Sequence, residues 1–577
     1  MKTKVKLILN KLKSKKLNKE YDAIVIGTGI SGGWAAKELC EHGLKTLVLE
    51  RGRLVSHGDY PTATKDIWEF DYRGKPSAES NSKQKTQSRT GFVTQETTAH
   101  WFVNDIEHPY NETKRFDWIR GYHIGGRSLT WGRQALRMSD LDFEANKLEG
   151  IAVDWPIRYK DIEPWYTKVE KFIGVCGENL GLPHLPDGHF SPAMPLNEVE
   201  KDFRYQISKH YKDRYLTMGR FANLTGNTHH IGRSNCVYRN RCMRGCPLGA
   251  YFSSNSSTLP AAERTGNMTI RPYSIVSEIL YDDIGKRATG VNVIDAETGE
   301  TLEFSAKVIF CCASTVGTTS ILLQSKSDRF PNGLGNDSGE LGHNLMDHHF
   351  RVGASGSTAK FKNVPYSNNR PASFHIPRFR NLNGSEPQSN FLRGYSFQGS
   401  ASRTDWRRAI KELSYGKDFK DDLLKPGPWR IGLTGFGECL PYHDNKMTLD
   451  YDKKDQWGLP TVTFNAEFKE NELEMRKDMK EEAIRMLRLA GFEDVKGFDT
   501  AAYLGHAIHE MGTARMGHDP KTSVLNKFNQ IHAVPNVYIT DGACMTSSGN
   551  QNPSLTYMAL TARAVNHAVK QFKENLW

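Results

Sequence analysis

His509 sits just ahead of a Gly-Thr pair in HEMGTARMG, and Asn552 stands immediately before a proline in NQNPSLTYMAL. An imidazole can accept a proton at one ring nitrogen while the other is held by a partner, and its ordinary pKa lies near neutrality. A carboxamide donates hydrogen bonds but cannot compete as a base. Either feature alone is unremarkable, and a lone histidine is as readily a satisfied core residue as a base. What chemistry such a pair could serve depends on what else the chain holds, and a cofactor site is sought elsewhere in it.

That site is expected near the start. YDAIVIGTGISGGWAAKEL predicts a strand over Tyr21–Ile26, then the turn Gly27-Thr28-Gly29-Ile30-Ser31-Gly32, then a helix. A second apolar strand, Leu44–Leu49, ends at Glu50, 18 residues after Gly32, and Arg51 follows. The first glycine permits the tight turn, the second lets backbone approach a pyrophosphate, and the third lets helix and strand pack closely. Glu50 is placed to accept hydrogen bonds from an unphosphorylated ribose diol, as in NAD or the adenosine half of FAD. AKVIFCCASTVGTTSILLQS follows about 280 residues later, and VYITDGACM later still. If these strands join the first two, the nucleotide domain is assembled from separated segments, which favours FAD.

A chain of 577 residues is expected to form about two to four domains. No run approaches the roughly 18 apolar residues of a spanning helix. Of the net charge of +11, much is local: MKTKVKLILNKLKSKKLNKE carries eight lysines against one glutamate. That segment reads either as a solvated helix or as a basic amphipathic helix on an acidic membrane or partner. It has no secretory leader pattern, so the expected compartment is the cytoplasm, or the periplasm if the chain is exported with a partner subunit. Basic residues are otherwise dispersed, and no nucleic-acid groove is expected. Nine cysteines are too few for a disulfide scaffold in a chain this long.

Along the middle, AESNSKQKTQSRT is expected to be a mobile surface loop. GYHIGGRSLTWGRQALRMS follows, where Gly125 and Gly126 permit close backbone passage and Ser128, Thr130 and Arg133 are candidates to face a bound ring. Cys236, Cys242 and Cys246 fall within eleven residues but lack paired CxxC units. They are read as loop cysteines, a disulfide, or, with His229 or His230, metal ligands; no metal is assigned. From about 350 to 470 the pattern alternates apolar and polar residues between turns, predicting a mainly antiparallel sheet. NELEMRKDMKEEAIRMLRLAGF then reads as an amphipathic helix ended by Gly491.

These pieces resemble the glucose–methanol–choline (GMC) oxidoreductases, FAD-dependent enzymes that oxidise alcohols. The resemblance runs nearly end to end, through GTGISG, GGRSLTWG, GHNLMDHH, ECLP with NKMTLD, HEMGTARMG and DGACMTSSGNQNPSLTYMALTARA. It looks closest to bacterial sugar-oxidising branches: glucoside 3-dehydrogenases, gluconate-type dehydrogenase large subunits and pyranose oxidases. The resemblance implies His509 as the catalytic base and Asn552 as its partner. It also implies FAD contacts at Val276, Asp541, Gly542, Asn552 and Pro553. Pyranose oxidases tether FAD through a histidine in the GG motif; Thr130 stands there in this chain, so noncovalent FAD is expected.

The expected fold is α/β, α+β overall: a Rossmann-like FAD domain from separated segments, with an inserted substrate domain on a mainly antiparallel sheet. The expected divisions are a basic segment at 1–20 and a mostly FAD-binding part at 21–340, with excursions at about 51–120 and 150–260. Residues 341–495 are expected to be mainly substrate-binding, and 496–577 return to the FAD domain with the catalytic residues. Arg393, Tyr395, Gln398 and His443 are candidates to bind a polyol, whose cavity should be less continuously apolar than a sterol's. The expected activity is dehydrogenation of a sugar or glycoside, passing electrons to a quinone, cytochrome or small electron-transfer subunit. An oxygen-using oxidase and a noncatalytic flavin-binding subunit are the alternatives.

Overall fold

The computed structural model describes residues 20–226, 230–365, 369–382, 384, 386–403, 416–424 and 427–576. The basic segment up to residue 19 and His229 lie outside the described residues.

One eight-stranded sheet runs in the order Gln530–Ile531, Val534–Ile539, Thr301–Cys311, Glu20–Ile26, Thr46–Leu49, Met268–Arg271. Ser274–Asp282 and Arg287–Asp295 attach antiparallel beside Thr301–Cys311. The central neighbours are parallel, with Ala23 opposite Thr46 and Val308, and Tyr538 opposite Phe310. Runs such as AIVI, TLVL and VIFC are apolar without alternation because layers cover both faces of a parallel sheet. The helix Ile30–Glu41 packs Ala35, Ala36 and Leu39 against Ala564, Val565 and Ala568 of the C-terminal helix Ser554–Lys573. This is the Rossmann-like unit, gathered from segments more than 500 residues apart.

A second, six-stranded sheet is antiparallel throughout: Glu493–Asp499, Val352–Thr358, Trp429–Gly437, Tyr395–Arg403, Phe374–Ile376, Thr217–Met218. The helix Glu470–Leu489 lies across it and buries Met475, Met479, Ala483, Met486 and Leu487 in the same core as Phe374, Phe397 and Leu433. Each such large side chain contributes about 1.5–3 kcal/mol by leaving water. A small third sheet joins Lys446–Lys454, Pro460–Asn465 and Asn111–Glu112.

The segment AESNSKQKTQSRT departs from the expected loop. Ala78–Lys83 is a short helix capped by Ser77, and Gln87–Thr90 is a 3-10 turn with Gln87 and Thr90 buried. The Asp105 carboxylate explains the order: it accepts from the backbone N–H groups of Thr86 and Gln87 and from the Gln87 side chain. A partner 18 residues away supplies what the local polar composition could not.

Candidate active site

A cavity of about 810 Å³ lies between the carboxyl ends of the parallel strands and the inner face of the antiparallel sheet. Parallel sheets bind ligands at that end because their βα turns open helices there. Ile26, Leu49, Cys312 and Asp541 mark the strand ends on the cavity wall.

At the nucleotide end, Gly27, Gly29, Ile30, Ser31, Glu50, Arg51, Gly126, Ser128, Thr130, Val276, Gly542 and Pro553 all line the cavity. Gly27 has φ +96° and a Cβ there would stand 2.5 Å from the Cys312 carbonyl oxygen. Gly32 lies behind the wall, where a Cβ would stand 2.0 Å from the Gly27 carbonyl oxygen. Gly125 is also one step behind, its N–H donating to Thr28 Oγ1 at 2.9 Å. Three helices begin at the cavity with no side chain capping them: Ile30–Glu41 after Gly29, Thr315–Gln324 after Ser314, and Ser554–Lys573 after Pro553. Each leaves first-turn N–H groups and the positive end of its dipole at the cavity, and the one that follows the glycine turn is placed as a diphosphate site requires. Glu50 accepts from the Thr28 N–H at 3.1 Å, from the Thr28 hydroxyl and from the Gly52 N–H at 2.9 Å. Nothing stands within 4 Å of where a Gly29 Cβ would be, leaving room for close backbone approach. These residues fit FAD.

At the other end, His509 and Asn552 share the wall. A third residue, His348, determines what His509 can do. His348 Nε2 lies 2.8 Å from the Gly549 carbonyl oxygen, and His348 Nδ1 lies 2.9 Å from His509 Nδ1. A carbonyl only accepts, so His348 carries its hydrogen on Nε2 and offers a lone pair at Nδ1. His509 therefore donates from Nδ1, and its Nε2 is left as an acceptor. Burial, then His348 and Arg127, push the His509 pKa well below its ordinary value, and burial lowers that of His348. Both rings are neutral near pH 7, the state a base requires.

Backbone contacts aim the ring. Asp347 accepts from the His509 N–H at 2.9 Å and the Ala507 N–H at 3.1 Å, and burial pushes its pKa up to about 7. Ile508 has φ +63°, a conformation that costs a β-branched residue about 1–3 kcal/mol. Arg127 braces it, donating to the Ile508 carbonyl and pairing with Glu510 at 2.8 Å. Asn552 Oδ1 accepts from Gln398 Nε2 at 2.6 Å, which leaves the Asn552 amide hydrogens for another acceptor.

Of the four substrate-contact candidates, Gln398 lies on the cavity wall and three do not. Along Tyr395–Arg403 the side chains alternate: Gln398, Ser400 and Ser402 line the cavity, while Tyr395 and Phe397 join the opposite core. Tyr395 is fully buried there and donates to Asp478 of the helix behind the sheet. Arg393 is buried in ion pairs with Glu149 and Glu438. His443 is a surface residue stacked on His343 at 4.1 Å. Arg133 does reach the wall, donating to the carbonyls of Trp131 and Pro371. His348 and Arg127 had no role assigned from sequence, although the adjacent histidines in GHNLMDHH were the available signal.

All nine cysteines are free thiols. Cys236, Cys242 and Cys246 border a separate small cleft with Tyr251. Among the described residues no set of three or more His, Cys, Asp or Glu side chains is gathered closely enough to hold a metal.

Residues 221–350 and 441–561 match the two family models described as GMC oxidoreductase. The chain is 27% identical over 575 residues to the 2-methyl-1,2-propanediol dehydrogenase of Mycolicibacterium austroafricanum, covering 96% of each chain. It is 24% identical to the fructose dehydrogenase large subunit of Gluconobacter japonicus, covering 96% of this chain and 98% of that one. Its fold is similar to a formate oxidase of Aspergillus oryzae, with a TM-score of 0.59 at 13% identity, covering 97% and 99%. The matched segments and the end-to-end relatives make this chain similar to GMC oxidoreductases, and the likeness to the formate oxidase is one of fold.

Proposed function

We propose that the protein is an FAD-dependent dehydrogenase that oxidises a secondary hydroxyl of a sugar or glycoside to a ketone, with C3 of a glucoside the first position to test. One observation carries the reading: His348 holds His509 in the tautomer whose Nε2 can accept a proton, on a wall shared with Asn552. FAD, when bound, supplies the hydride acceptor at its N5.

The chain's own residues supply the rest. His509 Nε2 takes the hydroxyl proton, a contribution of about 10²–10⁴ in rate for a positioned base. The Asn552 amide, turned by Gln398, donates to the same oxygen as negative charge develops there. Arg127 and Asp347 keep the His509 turn from relaxing. Gln398, Ser400 and Ser402 offer amide and hydroxyl groups along one wall, chemistry that suits a polyhydroxylated substrate. Thr130, a hydroxyl residue on the nucleotide wall, favours noncovalent FAD.

The similar diol and fructose enzymes are named dehydrogenases and two other relatives at 24–26% identity are named oxidases; the reading takes a quinone, cytochrome or small electron-transfer subunit as acceptor, with oxygen the alternative. Peripheral association with a membrane, and a cytoplasmic or partner-exported periplasmic location, belong to the same reading. The test is anaerobic mixing of the holoprotein with glucosides, free sugars, sugar acids and simple alcohols while flavin absorbance is followed. Bleaching by a carbohydrate and slow reoxidation in air against fast reoxidation by a quinone dye are expected. Bleaching by none of the carbohydrates sinks the substrate class, and rapid reoxidation by air makes the protein an oxidase.

A further inference from the structure

Behind the catalytic loop lies a buried charge cluster that the reaction chemistry does not use. The Arg393 guanidinium donates from Nη1 to Glu438 Oε1 at 3.1 Å, from Nη2 to Asn146 Oδ1 at 2.8 Å, and from Nε to Glu149. Arg378 and Asp142 face the same group of charges. Glu438 is 1% exposed and its Oε1 also accepts from the Gly549 N–H at 3.2 Å. Next to it, the Ser548 hydroxyl accepts from the Cys439 N–H at 3.2 Å and donates to the Cys439 carbonyl at 3.1 Å. Residues 438–439 therefore grip residues 548–549, and Gly549 is the residue whose carbonyl orients His348.

We propose that Glu438, held by Arg393, is a positioning residue of the base: it pins Gly549, whose carbonyl fixes the tautomer of His348 and so keeps Nε2 of His509 free. The chain of contacts reads Arg393, Glu438, Gly549, His348, His509, each link a hydrogen bond of 2.8–3.2 Å. Gly549 has φ +59° and no side chain of its own to hold its place; Glu438 holds the N–H on one side of it, and Gln551 Oε1 accepts from the Asn550 N–H at 3.0 Å on the other, so the two together fix where its carbonyl aims. If that carbonyl turns away, His348 can carry its hydrogen on Nδ1. His509 Nδ1 must then accept, its hydrogen moves to Nε2, and the ring meets a substrate hydroxyl as a donor instead of a base. A base locked in the wrong tautomer loses roughly 10⁴ in kcat. Partial loss of the lock is expected to cost about 30- to 100-fold by the same logic.

The rate consequence rests on the alcohol-oxidation reading, but the tautomers do not, so they are measured first in substrate-free holoprotein with ¹⁵N-labelled histidine. The wild type should show His348 protonated at Nε2 and His509 at Nδ1. Glu438→Met removes the acceptor and should give mixed tautomers on both rings. It should also slow flavin bleaching at saturating substrate about 30- to 100-fold, with KM held within about twofold. Glu438→Gln keeps an acceptor oxygen and should restore the tautomers and most of the rate. Should Glu438→Met alone fail to fold, Glu438→Met with Arg393→Met removes the pair together, with Glu149 still facing Arg378, and should show the same mixing. Unmixed tautomers in the Met variants, or equal mixing in Gln and Met, would overturn the proposal. Mixed tautomers in a protein that no alcohol bleaches would support the pin and fail the substrate reading instead.

Discussion

One short stretch supplies about half of the nucleotide end of the cavity: strand Glu20–Ile26, the glycine turn, helix Ile30–Glu41, strand Thr46–Leu49 and Glu50–Arg51. The catalytic end comes from four separated places: His348, Gln398, His509 and the loop that carries Gly549 and Asn552. The first is specified by local sterics, because a Cβ at Gly27 or Gly32 would collide with backbone close by in the same motif or the adjoining strand. The second is specified by register, since each place belongs to a different strand or loop. Damage at one end should therefore leave the other intact, and that separation can be tested.

The largest effect is expected from His509→Ala, which should keep flavin absorbance and slow substrate-driven bleaching by about 10²–10⁴. Loss of flavin from this variant would show that the two ends are not independent. Gly32→Ala should do the reverse. Its Cβ would meet the Gly27 carbonyl, so the protein should lose bound flavin or fall by several kcal/mol (about 2–4) in a denaturant titration. A Gly32→Ala protein with full flavin content and wild-type stability would contradict the steric account.

The smallest effect concerns pH. His375, on the strand beside Gln398, is 2% exposed, and neither ring nitrogen has a hydrogen-bond partner among the described residues. Burial first, then Arg220 and His184, push its pKa down to about 3. The unfolded chain binds the proton near pH 6.5, so this ring's contribution is intact above that pH and is lost as pH falls below it. By pH 5 the loss is about 2 kcal/mol, and His375→Phe should abolish that part of the acid sensitivity in thermal unfolding. At the nucleotide end the sign reverses. Burial raises Asp541 to about 6, so its protonation on going from pH 7 to pH 5 favours the folded state. An unchanged acid slope in His375→Phe would remove the distinction for this residue.

Much of the fold could be read because its signals are local. Apolar runs without alternation marked the parallel strands, alternation marked the antiparallel ones, and an apolar stripe marked Glu470–Leu489. The candidate site was only partly legible. Tyr395 and Gln398 cannot share a face, because they stand three apart on a strand whose side chains alternate. Arg393 has the chemistry of a ligand contact, and only its burial between Glu149 and Glu438 shows that its charge is already matched. The order of residues 77–90 was hidden for a similar reason, since Asp105 supplies it from outside the segment.

Residue order alone specified the glycine turn, the acidic end of the second strand and the presence of a histidine and an asparagine near the C-terminus. Backbone sterics and side-chain type are properties of a residue and its neighbours, and they survive without a fold. Which nitrogen of His509 is left to accept a proton came from the fold. Its proton sits on one nitrogen because His348, 161 residues earlier, accepts from it, and His348 is in turn set by Gly549. A tautomer depends on the partners that a ring meets in space, and those partners are fixed only when the two sheets close on the cavity.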